Sequence, residues 1–312
     1  MNTITLGLFS VSKVQDPSLL ESRYFIELRD ELEKKYNILL KIPNGLFGKI
    51  EGVSPQKRAD QIHALYEDPE VDILWALTGG SASNEILEYL DFDRIGKTKK
   101  PMIGYSDVTI LLNAIFHKTG IVNFLGPNAK TLSKGIKGTQ ESTALLVQAI
   151  RQNSFSLKSF SYYFDLSIKE TIKNEIRILQ AGNAECVGIG GNLSSVCLLV
   201  DTPFFPSLKD KILLLEECSE FSIGIIRRNL FRLRHAHGFR ELRGVIFGHI
   251  NKTCYKDYIY TLHQTLLDVF QDLDIPIITN VGLGHISPMQ TLPIGGKYRI
   301  NTHDFHYTVS SL

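Results

Sequence analysis

Short apolar runs alternate along the chain with longer stretches whose apolar positions recur at helical spacing. Residues 4–9 read as a first strand, 18–35 as a helix with charges interleaved on one side, and 38–42 as a second strand. The stretch PNGLFGKIEGVSP, rich in glycine and proline, breaks the pattern as a loop, and 55–67 is helical again with Ile62, Leu65 and Tyr66 on its inner face. The apolar run 71–77 ends in the tight turn Thr78-Gly79-Gly80, after which a helix begins at Asn84. Residues 101–105 form another short strand, followed by a helix whose crowded face holds Val108, Ile110, Leu111, Leu112, Ala114, Ile115 and Phe116. With a strand at 121–125 and a helix at 139–151, this rhythm predicts an α/β fold built on a parallel sheet covered on both faces.

Past residue 151 the pattern dissolves. RQNSFSLKSFSYYFDLSIKETIKN mixes serine, lysine and aromatics without a period and reads as a crossing between domains. The expected organisation is an N-terminal domain of residues 1–155, a linker of 156–172 and a C-terminal domain of 173–312. In the latter, strands are expected at 176–180, 185–189, 211–215, 242–247, 275–278 and 306–309, and helices at 223–234 and 258–270. Within GIGGNLSS, Asn192 is placed to cap a short apolar helix.

At 312 residues the chain can bury two cores. A formal net charge of +1 argues against a dedicated nucleic-acid or membrane-surface binder. The opening MNTITLGLFSVSKVQDP has no basic segment ahead of a long apolar stretch, and no apolar run is long enough to span a membrane. The expected location is the cytoplasm. Cys186, Cys197, Cys218 and Cys254 are scattered without a C-x-x-C pair, as reduced structural thiols would be, so neither a disulfide framework nor a metal site is expected. Nor is a cofactor.

The turn between the strand at 101–105 and its helix carries Ser106. A hydroxyl at the start of a helix, after a glycine that permits a sharp bend, faces outward while backbone N–H groups face any developing negative charge. That suits a nucleophile; it equally suits an N-cap. The motif has Val108 where G-x-S-x-G needs its second glycine. Gly80 ends the preceding strand on the same side of the sheet, where ligands collect, and its N–H is a candidate partner for the carbonyl oxygen that Ser106 would attack.

Other motifs fail on spacing. RIGKTKK resembles the end of a phosphate loop, but Asp91 stands where the first glycine is needed, and GIGGNL has Leu193 in place of the last glycine of a dinucleotide fingerprint. Arg227, Arg228, Arg232, Arg234, Arg240 and Arg243 read as a solvated face rather than an anion site, and His235 and His237 lack further metal ligands. Two residues suit Ser106. Glu216 ends the apolar strand ILLLEE, and His285 follows the glycines of GLGH in a loop. A serine needs an imidazole to take its proton, and the imidazole a carboxylate to orient it. Glu217 competes for the acid's role, since the two glutamates point to opposite sides of a strand.

Taken together, GYSDVT, the TGG turn with SNEILEYLD behind it, KTGIVNFLGPN, GIGGNLSS, ILLLEE and GLGHISPMQTLPIG resemble the LD-carboxypeptidase family of serine peptidases, in order along nearly the whole chain. The resemblance implies an N-terminal Rossmann-like domain and a smaller C-terminal α/β domain, a homodimer, no metal, and a triad of Ser106, Glu216 and His285. It implies an oxyanion hole from the N–H groups of Gly80 and Asp107. Thr78 stands where many murein-acting members carry arginine, and the SASN stretch at 81–84 is more similar to the microcin immunity branch. The expected function is hydrolysis of an amide bond in a small peptide, foremost the trimming of murein-derived tetrapeptides. Cleavage of peptidyl or aminoacyl nucleotides is the alternative within the class, and non-catalytic small-molecule binding the alternative outside it. Ser81 and Asn192 are the expected substrate contacts.

Overall fold

The structure, a computed structural model, describes residues 2–12, 16–44, 53–218, 222–250 and 261–302, and the backbone of 306–310. The chain begins with β1 (Ile4–Phe9), α1 (Arg23–Tyr36), β2 (Ile38–Lys41), α2 (Pro55–Glu67), β3 (Ile73–Ala76), α3 (Phe92–Thr98), β4 (Met102–Gly104), α4 (Thr109–Thr119), β5 (Asn123–Leu125), α5 (Ala129–Leu132) and α6 (Thr139–Arg151). Local chemistry sets these bounds. Pro55 opens α2 behind Ser54, whose hydroxyl accepts from Lys57 N at 3.3 Å, and Ile62, Leu65 and Tyr66 are buried. The first helix starts later than residue 18, because Pro17–Leu19 forms a separate 3-10 turn and Ser22 provides the cap.

Strands β1 to β5 are all parallel and lie in the order β5-β4-β3-β1-β2. The chain leaves β1 towards β2 on one side and returns to build β3, β4 and β5 on the other, which opens a crevice at the carboxyl ends of β1 and β3. Ser12, the Gly79-Gly80 turn and Ser106 follow β1, β3 and β4 at that edge. Trp75, fully buried on β3, donates its indole N–H to Pro127 O at 2.9 Å and so pins the loop after β5 to the same edge.

The later chain supplies β6 (Ser154–Ser156), β7 (Tyr162–Asp165), β8 (Glu170–Lys173), β9 (Arg177–Gln180), β10 (Asn183–Asn192), α7 (Leu193–Leu199), β11 (Lys211–Glu216), α8 (Ile223–Arg234), β12 (Gly244–Gly248), α9 (Leu262–Phe270), β13 (Ile277–Val281), β14 (Ile286–Ser287), β15 (Leu292–Ile294), β16 (Lys297–Asn301) and β17 (His306–Ser310). Strands β10 to β13 form a parallel core, with antiparallel β16, β17 and β6 on one edge and β9 on the other. The beginning of the expected helix 258–270 lies outside the described residues. Among the described residues no helix is long and apolar enough to cross a membrane.

Two features depart from a simple pair of domains joined by a linker. Within 156–172 the chain forms β7 and most of β8, a hairpin whose inner strand alternates half-buried and buried side chains and pairs with β14, directly after His285. Its period-two pattern is too short to stand out among the surrounding serines and lysines. The C-terminal segment also crosses back: β15 pairs antiparallel with β5 and completes the N-terminal sheet. Further ties run from α4 to β10. The Asn113 side chain donates to Gly190 O at 2.8 Å and accepts from Gly190 N at 3.0 Å, while Thr109 Oγ1 accepts from Asn192 N at 3.0 Å. The helix behind Ser106 is therefore bonded to the second sheet.

Candidate active site

Ser106 is the first residue of a 3-10 turn, Ser106–Val108, that leads into α4. Its φ of 61° lies in the left-handed region, which costs a residue with a β-carbon about 1–3 kcal/mol and persists where the surroundings over-determine it. Its hydroxyl caps neither this turn nor α4. The capping alternative therefore has no bond to account for the strained serine. Tyr105 N donates to Asn128 Oδ1 at 3.2 Å, and the Tyr105 hydroxyl meets Thr131 Oγ1 at 3.0 Å, so α5 and the loop before it brace the elbow from behind. Gly79 packs directly against the serine. A β-carbon there would stand 3.0 Å from Ser106 Cβ and 3.2 Å from Oγ, so any larger residue would press on the serine side chain.

Across the crevice, His285 Nδ1 is 2.9 Å from Glu216 Oε2. Glu216 is completely buried at the end of β11, and its other oxygen, Oε1, has no hydrogen-bond partner among the described residues. Gly284, at φ 122°, lets the histidine loop pass close: a β-carbon there would lie 3.1 Å from Glu216 Oε2. The hairpin fixes the main chain next to the imidazole, with Leu166 N donating to His285 O at 2.8 Å and Asp165 opposite Ile286. The His285 ring lies 5.0 Å from the ring of Tyr105, the residue that precedes Ser106. Burial pulls the imidazole pKa down, but the charge and hydrogen bond of Glu216 outweigh it, with Glu217 and Asp165 adding, so the net shift is upward.

Glu217 has the opposite orientation and another task. Its carboxylate accepts from Asn192 Nδ2 at 2.9 Å, Ser194 N at 3.0 Å, Cys218 N at 2.9 Å and the Ser194 hydroxyl, which holds the first turn of α7. Asn192 caps that helix: its Oδ1 accepts from Ser195 N and Ser195 Oγ, leaving one amide N–H unassigned. Ser81 is exposed on the loop after β3. Gly80 packs against Ser12, and among the described residues neither its N–H nor that of Asp107 donates a hydrogen bond.

Five of the six arginines form ion pairs: Arg227 with Asp268, Arg232 with Asp201, Arg234 and Arg240 with Asp272, and Arg243 with Asp210, while Arg228 is exposed. No three His, Cys, Asp or Glu side chains gather as metal ligands among the described residues. Cys186 and Cys197 are free thiols, and Cys218 Sγ lies 2.9 Å from Ser167 Oγ; Cys254 lies outside the described residues. Sequence reasoning missed Tyr105, the hairpin and the Asp107 side chain, all of which act through partners distant in sequence.

A strained serine on a strand-to-helix turn, next in sequence to a tyrosine whose ring lies 5.0 Å from that of a histidine bonded to a buried carboxylate, gives the parts that acyl transfer uses, although no hydrogen bond joins Ser106 to His285 among the described residues. The LD-carboxypeptidase N-terminal domain pattern matches residues 7–126 and the LD-carboxypeptidase C-terminal domain pattern residues 185–300. The chain belongs to the LD-carboxypeptidase family. Among its family relatives, YocD of Bacillus subtilis is 31% identical over 301 residues, covering 93% of this chain and 91% of that one. The microcin C7 self-immunity protein MccF of Escherichia coli is 26% identical over 312 residues, covering 95% and 90%. The crystal structure of an MccF-like protein from Bacillus anthracis superposes with a TM-score of 0.88 at 28% identity, covering 99% of this chain and 97% of the other. The family's two-domain α/β architecture is the one described above.

Proposed function

We propose that this family member is a serine peptidase in which Ser106, His285 and Glu216 act as one unit on the amide bond of a small peptide. The observation that carries the reading is the Glu216–His285 bond, beside an elbow whose serine holds a left-handed backbone and caps nothing. With Nδ1 engaged by Glu216, Nε2 of His285 is the atom available to take the Ser106 proton as Oγ attacks the carbonyl and to return it to the leaving amine. Glu216 stabilises the imidazolium that forms in between. The N–H groups of Gly80 and Asp107 hold the oxyanion, each contributing about 3–4 kcal/mol to the transition state.

For substrate, the reading is a murein tetrapeptide losing its terminal D-alanine. It is supported by the family and by a murein tetrapeptide carboxypeptidase of Pseudomonas aeruginosa, 25% identical over 246 residues and covering 77% of this chain. Ser81 and the second N–H of Asn192 are the proposed substrate contacts, and a cytoplasmic homodimer is the proposed setting. The test is incubation of the purified protein with a murein tetrapeptide and, separately, with a peptidyl nucleotide, followed by mass spectrometry. Release of D-alanine is expected. Cleavage of the nucleotide alone would transfer the reading to the immunity type, and binding without turnover of either would reduce the protein to a binder.

A further inference from the structure

The residue after the proposed nucleophile carries more than a backbone N–H. Asp107 is 5% exposed, and one oxygen of its carboxylate, Oδ2, receives every donor in reach: Ala82 N at 3.1 Å, Ser83 N at 3.0 Å, Ser83 Oγ at 2.7 Å and Ser12 Oγ. The Ser12 and Ser83 hydroxyls are themselves 2.9 Å apart. A buried carboxylate is tolerated only when hydrogen bonds replace its water, and bonds to an ionised acceptor are the strong ones. The three elements joined in this way are the ends of β1, β3 and β4.

The consequence falls on the Gly79-Gly80 turn. Gly80 rests on Ser12 so closely that a β-carbon would stand 2.4 Å from Ser12 Cβ and 3.0 Å from its carbonyl carbon and oxygen. On the other side, the β-carbon position of Gly79 is 3.6 Å from Asp107 N. The turn is thus held from below by Ser12 and from beyond by Ala82 and Ser83, and both holds converge on the side chain of Asp107. We infer that the Asp107 carboxylate is a positioning residue that sets the distance and angle between the Gly80 and Asp107 N–H groups, and hence the shape of the oxyanion site. This inference rests on the serine peptidase reading and adds a side chain to it. Catalysis responds steeply to such geometry, because donors must meet the oxygen where charge develops and a displacement of about 1 Å costs on the order of a hundredfold in rate.

The test uses the full chain and two readouts: turnover of a murein tetrapeptide, and the rate at which a fluorophosphonate probe modifies Ser106, which does not depend on the identity of the substrate. Asp107→Asn keeps the shape and removes the charge. It is expected to lower kcat and the phosphonylation rate about a hundredfold while KM stays within about twofold and the acid limb of the pH profile, set by His285, stays in place. Ser12→Ala with Ser83→Ala removes two donors without touching Asp107; it is expected to lower the thermal midpoint and to slow both reactions of the folded protein about tenfold, with KM and the acid limb in place. If Asp107→Asn does not fold, this double variant decides. Unchanged rates in the double variant, or in folded Asp107→Asn, overturn the inference. A Ser106→Ala protein that keeps turnover or probe labelling overturns instead the reading on which it rests, so the two failures are distinguishable.

Discussion

The two sides of the crevice each hold a buried carboxylate in a different state of engagement. On the elbow side Asp107 accepts hydrogen bonds from two backbone N–H groups and two serine hydroxyls. On the other side Glu216 meets one partner, the imidazole of His285, and leaves Oε1 unpartnered among the described residues. A carboxylate whose charge is shared among several fixed donors holds structure. One whose charge faces a single titratable ring acts on that ring's protonation. Glu217, one residue further on, sides with Asp107: three of its four donors tie it to the start of α7 and the fourth is the N–H of Cys218, while burial followed by repulsion from Glu216 pushes its pKa up. Under the proposed function, rigidity belongs to the Asp107 side and proton chemistry to the Glu216 side.

Removing either reacting group gives the largest effect. Ser106→Ala and His285→Ala are each expected to lower kcat by at least about ten-thousandfold, and the double variant little further, because the two act as a unit; steady-state kinetics on a murein tetrapeptide checks both. Glu216→Gln comes next. It takes away the charge that lifts the His285 pKa, so activity is expected to fall by roughly a thousandfold or more and the acid limb of kcat/KM to move to lower pH. The sign is fixed by the base role: activity rises as pH climbs through the His285 pKa, which Glu216 holds above the ordinary histidine value. Stability runs the other way. A histidine with a raised folded pKa stabilises the fold below its unfolded pKa and loses that contribution as pH rises through the folded one.

Two smaller changes sharpen the comparison. Gly284→Ala forces a β-carbon towards Glu216 Oε2 at a backbone angle that suits only glycine, and is expected to cost about a hundredfold in kcat by shifting the His285 loop, with KM nearly constant. Glu217→Ala leaves the buried donors around α7 unmatched. Its expected effect is a loss of about 3 kcal/mol in denaturant unfolding, with kcat changed by no more than about tenfold. A Glu217 variant that lost activity as completely as Glu216→Gln would erase the distinction between the two acids.

Helices at 55–67, 139–151 and 223–234 were readable to the residue because apolar spacing and local end signals agree there, as Ser54 and Pro55 do at the start of α2. The parallel strands were legible from their apolar runs in place but not in their ends: β10 runs to Asn192 and β13 to Val281, past the expected 189 and 278. The sequence could say that Glu216 and Glu217 point apart, since strand side chains alternate, but not which of them meets a histidine 69 positions away; that depends on how β13 and its loop pack beside β11. The β7–β8 hairpin was illegible because its partner strand, β14, holds only Ile286–Ser287 and leaves no pattern of its own. The Asp107 carboxylate was hidden for the same reason: its donors lie at 12, 82 and 83 and gather only when three strand ends align.

The account turns on Ser106 being activated by His285. The direct measurement is mass spectrometry of the intact protein and its peptides after exposure to a fluorophosphonate, in the wild type and in His285→Ala. One adduct on the peptide containing Ser106, formed at least about a hundredfold more slowly without the imidazole, is the predicted result. No adduct in the wild type, or one that forms equally fast when His285 is gone, contradicts it.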